Sequence, residues 1–121
     1  KNNGYIFLIS SFIVRQPGTD LIMSSSLRSG FVSLFKSLSK IQKEKNISFI
    51  NIAPGPIKTE RLINLVKNDN MTMEDFKKTM PANNIPEPKE IGLFVEFVVK
   101  NKIKSLNGVT IPFDSGLLEN I

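Results

Sequence analysis

The chain alternates between short, almost uninterrupted apolar runs and longer stretches in which apolar residues return every third or fourth position. Tyr5-Ile6-Phe7-Leu8-Ile9 is the first run. A run without polar alternation predicts a strand buried on both faces, as in a parallel sheet. The strand is expected over residues 5–10, and a loop follows over residues 11–20. Pro17-Gly18 marks a turn there, and Asp20 is placed to cap a helix. Leu27, Phe31, Leu34, Phe35, Leu38 and Ile41 then recur as one helical stripe. Lys36, Lys40 and Lys43 gather at its C-terminal end, where cations suit the helix dipole, and Asn46 is placed to stop it.

Residues 47–53, "ISFINIA", predict a second strand, stopped by Pro54-Gly55-Pro56. Residues 60–67 and 73–80 read as short helices, and Thr72 with Asp75 resembles a capping box. After a loop over residues 81–88, the helix at residues 89–100 carries Ile91, Leu93, Phe94, Val95, Phe97, Val98 and Val99 on nearly all sides. It is expected to be largely buried. Gly108 makes a turn, residues 109–113 form a last strand, and Asp114-Ser115-Gly116 closes it. Strands alternating with helices predict an α/β fold, a parallel sheet with helices on its faces. Three strands alone would leave the first as a long open apolar edge. The expectation is therefore that the chain starts inside a larger fold or that a partner covers that edge.

Length and composition narrow the chemistry. A chain of 121 residues suits one domain. It contains no Cys and no His, which excludes disulfides, thiol nucleophiles, Cys/His metal sites and histidine acid–base catalysis. No metal site is expected. The net charge of +5 is spread along the chain without a basic–aromatic platform, so nucleic acid is not an expected partner. No apolar run approaches the ~20 residues that span a bilayer, and the first ten residues turn polar too soon for a secretion signal. No membrane association is expected, and a cytoplasmic location is.

Four blocks in order carry a resemblance: "IFLISS" at residues 6–11, "NIAPGPIKTERL" at 51–62, "IPEPKEIGLFVEFVV" at 85–99 and "LNGVTIPFDSG" at 106–116. Together they resemble the C-terminal half of a short-chain dehydrogenase/reductase, with the look of the 3-oxoacyl-carrier-protein reductase-like members. The resemblance implies a Rossmann-like, three-layer α/β/α fold with a parallel sheet, of which residues 1–121 would supply the C-terminal strands and helices only. It implies NAD or NADP as cofactor, and hydride transfer on a ketone or alcohol such as a 3-oxoacyl thioester. It also implies a homodimer or homotetramer, with Gly30 and Ser29, Ser33 and Ser37 allowing close helix approach between subunits. The family's Gly-rich dinucleotide turn and its Asn-Asn-Ala-Gly strand have no match here.

The resemblance also assigns site residues. Ser11, second of the serine pair, matches the substrate-holding serine. The family's catalytic Tyr lies thirteen residues on, at Ser24, and its Lys four later, at Arg28. Ser24 and Arg28 are spaced to share one helix face. A Tyr with a reference pKa of about 10 is tunable by a neighbouring cation. A serine hydroxyl is far less acidic, and no His stands by as its base. Arg28 keeps its charge and offers a planar donor fork for a ribose hydroxyl or a phosphate. The sole tyrosine, Tyr5, lies away from the matched position. Pro54, Gly55, Pro56, Ile57 and Thr59 fall where the family holds the nicotinamide carboxamide; Lys58 and Arg61 are read first as solvated surface charges and second as charge near the cofactor phosphates. Read on their own, the same residues also fit plainer roles: strand-ending serines, helix-capping Ser24, Ser25 and Ser26, a surface salt bridge at Arg28, and a simple turn at Pro54-Gly55-Pro56. The matching alternative function is a catalytically decayed module that oligomerises or senses cofactor. Ser115 replaces a family Gly, which sets a β-carbon where a tight turn needs positive φ.

Overall fold

The computed structural model describes residues 3–41 and 43–119. The Lys43 side chain, placed above at the C-terminal end of the helical stripe, lies outside the description. Three parallel strands, β1 (Gly4–Ile9), β2 (Ile47–Pro54) and β3 (Val109–Phe113), lie side by side in that order. Leu8 pairs with Asn51, and Asn51 with Thr110. The helices are α1 (Ile22–Ile41), α2 (Glu60–Asn68), α3 (Met73–Lys78) and α4 (Pro88–Lys100).

The core forms around β2, which has a neighbour on each edge. Phe49, Ile50, Ile52 and Ala53 are buried there, with Ile13, Val66, Met80, Ile85 and Val98. Side chains alternate across a strand, so Phe49, Asn51 and Thr110 share one face, and Ile50, Ile52 and Phe113 the other. Phe35 of α1 meets Phe49 edge-on at 5.6 Å, while Phe94 of α4 lies 6.5 Å from Phe113. The helices thus cover opposite faces, and the order is α/β/α.

Local chemistry explains the element ends. Pro88 opens α4, and Glu90 accepts from the Glu87 backbone N–H at 2.9 Å, so the Pro-x-Glu-Ile block is a helix start. Thr72 accepts from the Asp75 N–H at 3.1 Å and donates to its carboxylate at 2.6 Å. Asn46 and Gly108 turn at φ 51° and 73°. Asn107 donates to Ser39 O at 3.0 Å and accepts from Phe49 N–H at 2.9 Å, pinning the end of α1 to β2. Ser115 takes φ 55°, so the turn keeps its positive φ despite the β-carbon, and Asp114 accepts from the Gly116 and Leu118 N–H groups to hold it.

Several expectations are corrected. Asp20 does not cap α1: a 3-10 turn over Thr19–Leu21, entered from Gly18, leads into the helix at Ile22. Ser25 and Ser26 are not caps but lie inside α1, donating back to Leu21 O and Ile22 O. Lys36 does not simply face the α1 terminus: it donates to Gly108 O at 2.8 Å. β1 is not buried on both faces, since Ile6 and Ile9 are exposed. Nor is α4 largely buried, because Leu93 (53 %) and Phe97 (57 %) stand in the open. The stripe of α1 shows the same pattern: Leu27 (62 %) and Phe31 (56 %) are exposed, while Ser25 and Ser39 are buried. β1 is an edge strand, less covered than the central β2, and the two helices share a second reason. A three-stranded sheet offers each helix one narrow face to cover, so a helix apolar on several sides keeps part of its apolar surface in the open.

Candidate active site

In a parallel sheet every strand ends on the same edge, and open α/β folds bind ligands along that edge. Here it gathers Ser10-Ser11 after β1, the loop at residues 54–59 after β2, and Asp114 after β3. The first turns of α1 return over it. Ser10 is buried; its N–H and Oγ both donate to Ile52 O, at 2.8 and 3.3 Å, fixing the strand end.

Arg28 sits one turn beyond Ser24 on α1. Its Nε donates to Ser24 Oγ at 3.1 Å, and its Nη1 donates to Ser10 O at 2.8 Å. The i, i+4 spacing brings the first contact about, and the serine pair at the strand end supplies the second. The guanidinium is thereby held in one orientation. Its Nη2 has no partner among the described residues. Leu8, Ile9, Ser10, Ser24, Leu27, Arg28 and Phe31 line a cleft of about 340 Å³ beside β1. Its walls are apolar, and its polar groups are Ser10, Ser24 and Arg28.

The sequence-assigned trio is therefore only partly assembled. Ser24 and Arg28 meet, whereas Ser11 does not line their cleft. Ser11 instead accepts from the Ile13 N–H at 3.5 Å and caps the 3-10 turn Phe12–Val14. The plainer reading of Arg28 as a salt bridge does not hold among the described residues, where its partners are a hydroxyl and a carbonyl. Sequence reading missed the carbonyl of Ser10, because a backbone acceptor leaves no residue-type signal.

The loop at residues 54–59 has clear structural work. Pro54 ends β2, and the Gly55 N–H donates to Phe113 O at 3.0 Å. A β-carbon on Gly55 would lie 2.9 Å from Asp114 Cα, so the close approach served by this glycine is to the neighbouring strand end. Pro56 and Ile57 follow half-buried, and the Thr59 N–H donates to Ile57 O at 2.7 Å, a tight turn. Thr59 caps α2, accepting from the Leu62 N–H at 3.4 Å. Among the described residues, its hydroxyl proton and the Ile57 N–H have no acceptor. Lys58 pairs with Glu87 at 3.4 Å. No His/Cys/Asp/Glu cluster suited to a metal occurs among the described residues, and no helix there is long and apolar enough to cross a membrane.

Comparison with known proteins bears on the family and the fold. A family profile described as enoyl-(acyl carrier protein) reductase matches residues 1–118. A 3-oxoacyl-[acyl-carrier-protein] reductase, FabG, of Buchnera aphidicola subsp. Schizaphis graminum is 32 % identical over 120 residues, covering 97 % of this chain and 47 % of the relative. The FabG of Chlamydia muridarum is 29 % identical over 115 residues, 95 % of this chain and 45 % of the relative. Among solved structures, ElxO with NADP bound superposes with a TM-score of 0.84 at 21 % identity, over 98 % of this chain and 48 % of ElxO. An NADPH-bound short-chain oxidoreductase of Pseudomonas aeruginosa PAO1, described as containing an atypical catalytic center, does so at 0.83 and 18 % identity, over 97 % and 47 %. The chain spans about half the length of the relatives it matches.

Proposed function

We propose, for a chain that belongs to the short-chain dehydrogenase/reductase family, that residues 1–121 form the C-terminal part of an NAD(P)-dependent oxidoreductase domain. Its reaction is hydride transfer on a ketone or alcohol, such as a 3-oxoacyl thioester. The observation that carries the reading is the Ser24–Arg28–Ser10 constellation at the carboxyl edge of a parallel sheet.

The residues present fit a dinucleotide cofactor in two places. Arg28 Nη2 is an uncommitted, permanently charged donor for a ribose hydroxyl or a phosphate. The Ile57 N–H and Thr59 hydroxyl are uncommitted donors for a carboxamide. A bound nicotinamide supplies or takes the hydride. The Ser24 hydroxyl donates to the substrate oxygen, and the charge on Arg28 Nε makes that hydroxyl a stronger donor. Because serine is a poor acid, Ser24 passes a proton from water rather than resting as an alkoxide. Ser11, at the same sheet edge, orients substrate through the hydroxyl proton its cap leaves free.

The second reading is a catalytically decayed module that oligomerises or senses cofactor. It is favoured by one observation: Ser11 and Ser24 both already accept structural hydrogen bonds. The exposed stripe of Leu27, Phe31 and Leu34 supports a homodimer or homotetramer under either reading. The test is to assay the full-length protein with NADH and NADPH against a panel of ketones and acyl thioesters, with Ser11→Ala beside it. Turnover that Ser11→Ala abolishes supports the first reading. Turnover appearing only in a Ser24→Tyr, Arg28→Lys double variant supports the second. A full-length protein that binds neither cofactor overturns the first reading and leaves only the oligomerising form of the second.

A further inference from the structure

On the flank of α1 away from Ser24 and Arg28 lies a larger cleft, of about 640 Å³, between α1 and the β2–β3 side of the sheet. Its polar composition is unlike that of the first cleft. Ser29, Ser33, Asn51 and Thr110 line it, and Arg15 and Lys36 stand at its mouth. No acidic residue lines it, and neither cation has a carboxylate partner among the described residues.

Both cations are held in place. Arg15 Nη2 donates to Thr110 O at 3.1 Å and Lys36 Nζ to Gly108 O at 2.8 Å. The remaining protons of each stay available. Deeper in, Asn51 is 2 % exposed, and its Nδ2 donates to Thr110 Oγ1 at 3.2 Å. Its Oδ1 is buried with no donor among the described residues. Leaving a buried amide oxygen without a partner is unfavourable, and such groups in folded proteins are nearly always satisfied. Because Thr110 Oγ1 accepts from Asn51, its own proton points elsewhere. The interior thus presents one unfilled acceptor and one free hydroxyl donor, and the mouth two fixed positive charges.

We propose that this cleft binds a small anion that carries its own O–H or N–H donor. The donor satisfies Asn51 Oδ1, and the anionic group, a carboxylate or a phosphate, sits against Arg15 and Lys36. A bare anion leaves Asn51 unsatisfied, and a neutral polar molecule leaves the two cations uncompensated. The site is separated from the Ser24–Arg28 cleft by the body of α1, so a ligand here leaves that cleft open.

The experiment uses the full-length protein, isotope-labelled, with NMR titrations in two matched pairs of probes. Glycolate is compared with acetate, and inorganic phosphate with sulfate near neutral pH; in each pair only the first carries a donor. Saturable shifts of the Asn51 side-chain amide and of the Gly108 and Thr110 amides are expected, with glycolate or phosphate binding at least tenfold more tightly than its counterpart. The pair that responds identifies the anionic group. Arg15→Gln and Lys36→Gln, both at exposed positions, are each expected to weaken binding about three- to tenfold while leaving the spectrum folded. The proposal is overturned if none of the four probes gives saturable shifts at these residues. It is equally overturned if both members of each pair bind alike, or if binding survives both substitutions unchanged.

Discussion

Arg28 Nη1 reaches back across the site to the carbonyl of Ser10 at 2.8 Å, tying the second turn of α1 to the end of β1. This bond and the one to Ser24 are charge-assisted and half-buried. Arg28→Met removes both and leaves the Ser10 carbonyl without this donor. A loss of about 1.5–3 kcal/mol is expected in denaturant unfolding. Arg28→Lys is expected to recover part of it, since an ammonium offers a charge but no planar fork.

Two positions with positive φ respond in opposite directions. Ser115 holds φ 55° with a β-carbon, so Ser115→Gly relieves strain and is expected to raise stability by roughly 0.5–1 kcal/mol. At Gly108, φ is 73° and a β-carbon would lie 2.5 Å from Ser39 Oγ. Gly108→Ala is expected to lower stability by about 2 kcal/mol or more. Thermal and urea unfolding of the two variants, side by side, measure both signs.

Lys104 clamps the far end of the sheet. Its Nζ donates at 3.0 Å to both Gly4 O and Asn46 O and lies 4.0 Å from the centre of the Tyr5 ring. Lys104→Met keeps the aliphatic stem and removes the charge. It is expected to cost about 1–2 kcal/mol and to speed amide hydrogen exchange at the start of β1.

The hydrogen bond from Thr72, then the hydrogen bond and the charge of Lys78, hold the Asp75 carboxyl below the ordinary aspartate range. A depressed folded-state pKa stabilises the start of α3 above the unfolded value, and that contribution fades as pH falls through the folded one. The group is fully exposed, so the effect is local. NMR titration of Asp75 is expected to give a midpoint below a reference aspartate, returning toward it in Thr72→Ala.

How far the sequence speaks differs by element. The strand at residues 109–113 was legible to the residue, because Gly108 and Asp114 punctuate it on both sides. Pro88 and Glu90 made the start of α4 legible by chemistry alone. The burial of α4 was not legible, because periodicity reports which residues are apolar and not how much surface meets them. The Ser24–Arg28 contact followed from spacing, but the anchor at Ser10 O is a backbone group contributed by another element. Ser11 was placed by motif position, and its hydroxyl turned out to cap a 3-10 turn that no local pattern had announced. Asn51 carries a signal of its own: the one amide in a strand whose other residues, Ser48 apart, are apolar has to find partners inside the protein.

The most direct measurement is the steady-state reduction of a carbonyl substrate by full-length protein with NADPH or NADH, comparing wild type with Ser24→Ala and Arg28→Met. Wild-type turnover is expected, with kcat/KM falling by a factor of ten or more in each variant, about 1.4 kcal/mol of transition-state stabilisation or more. Wild-type turnover unchanged by Ser24→Ala, or no turnover until Ser24→Tyr and Arg28→Lys are combined, would contradict the account.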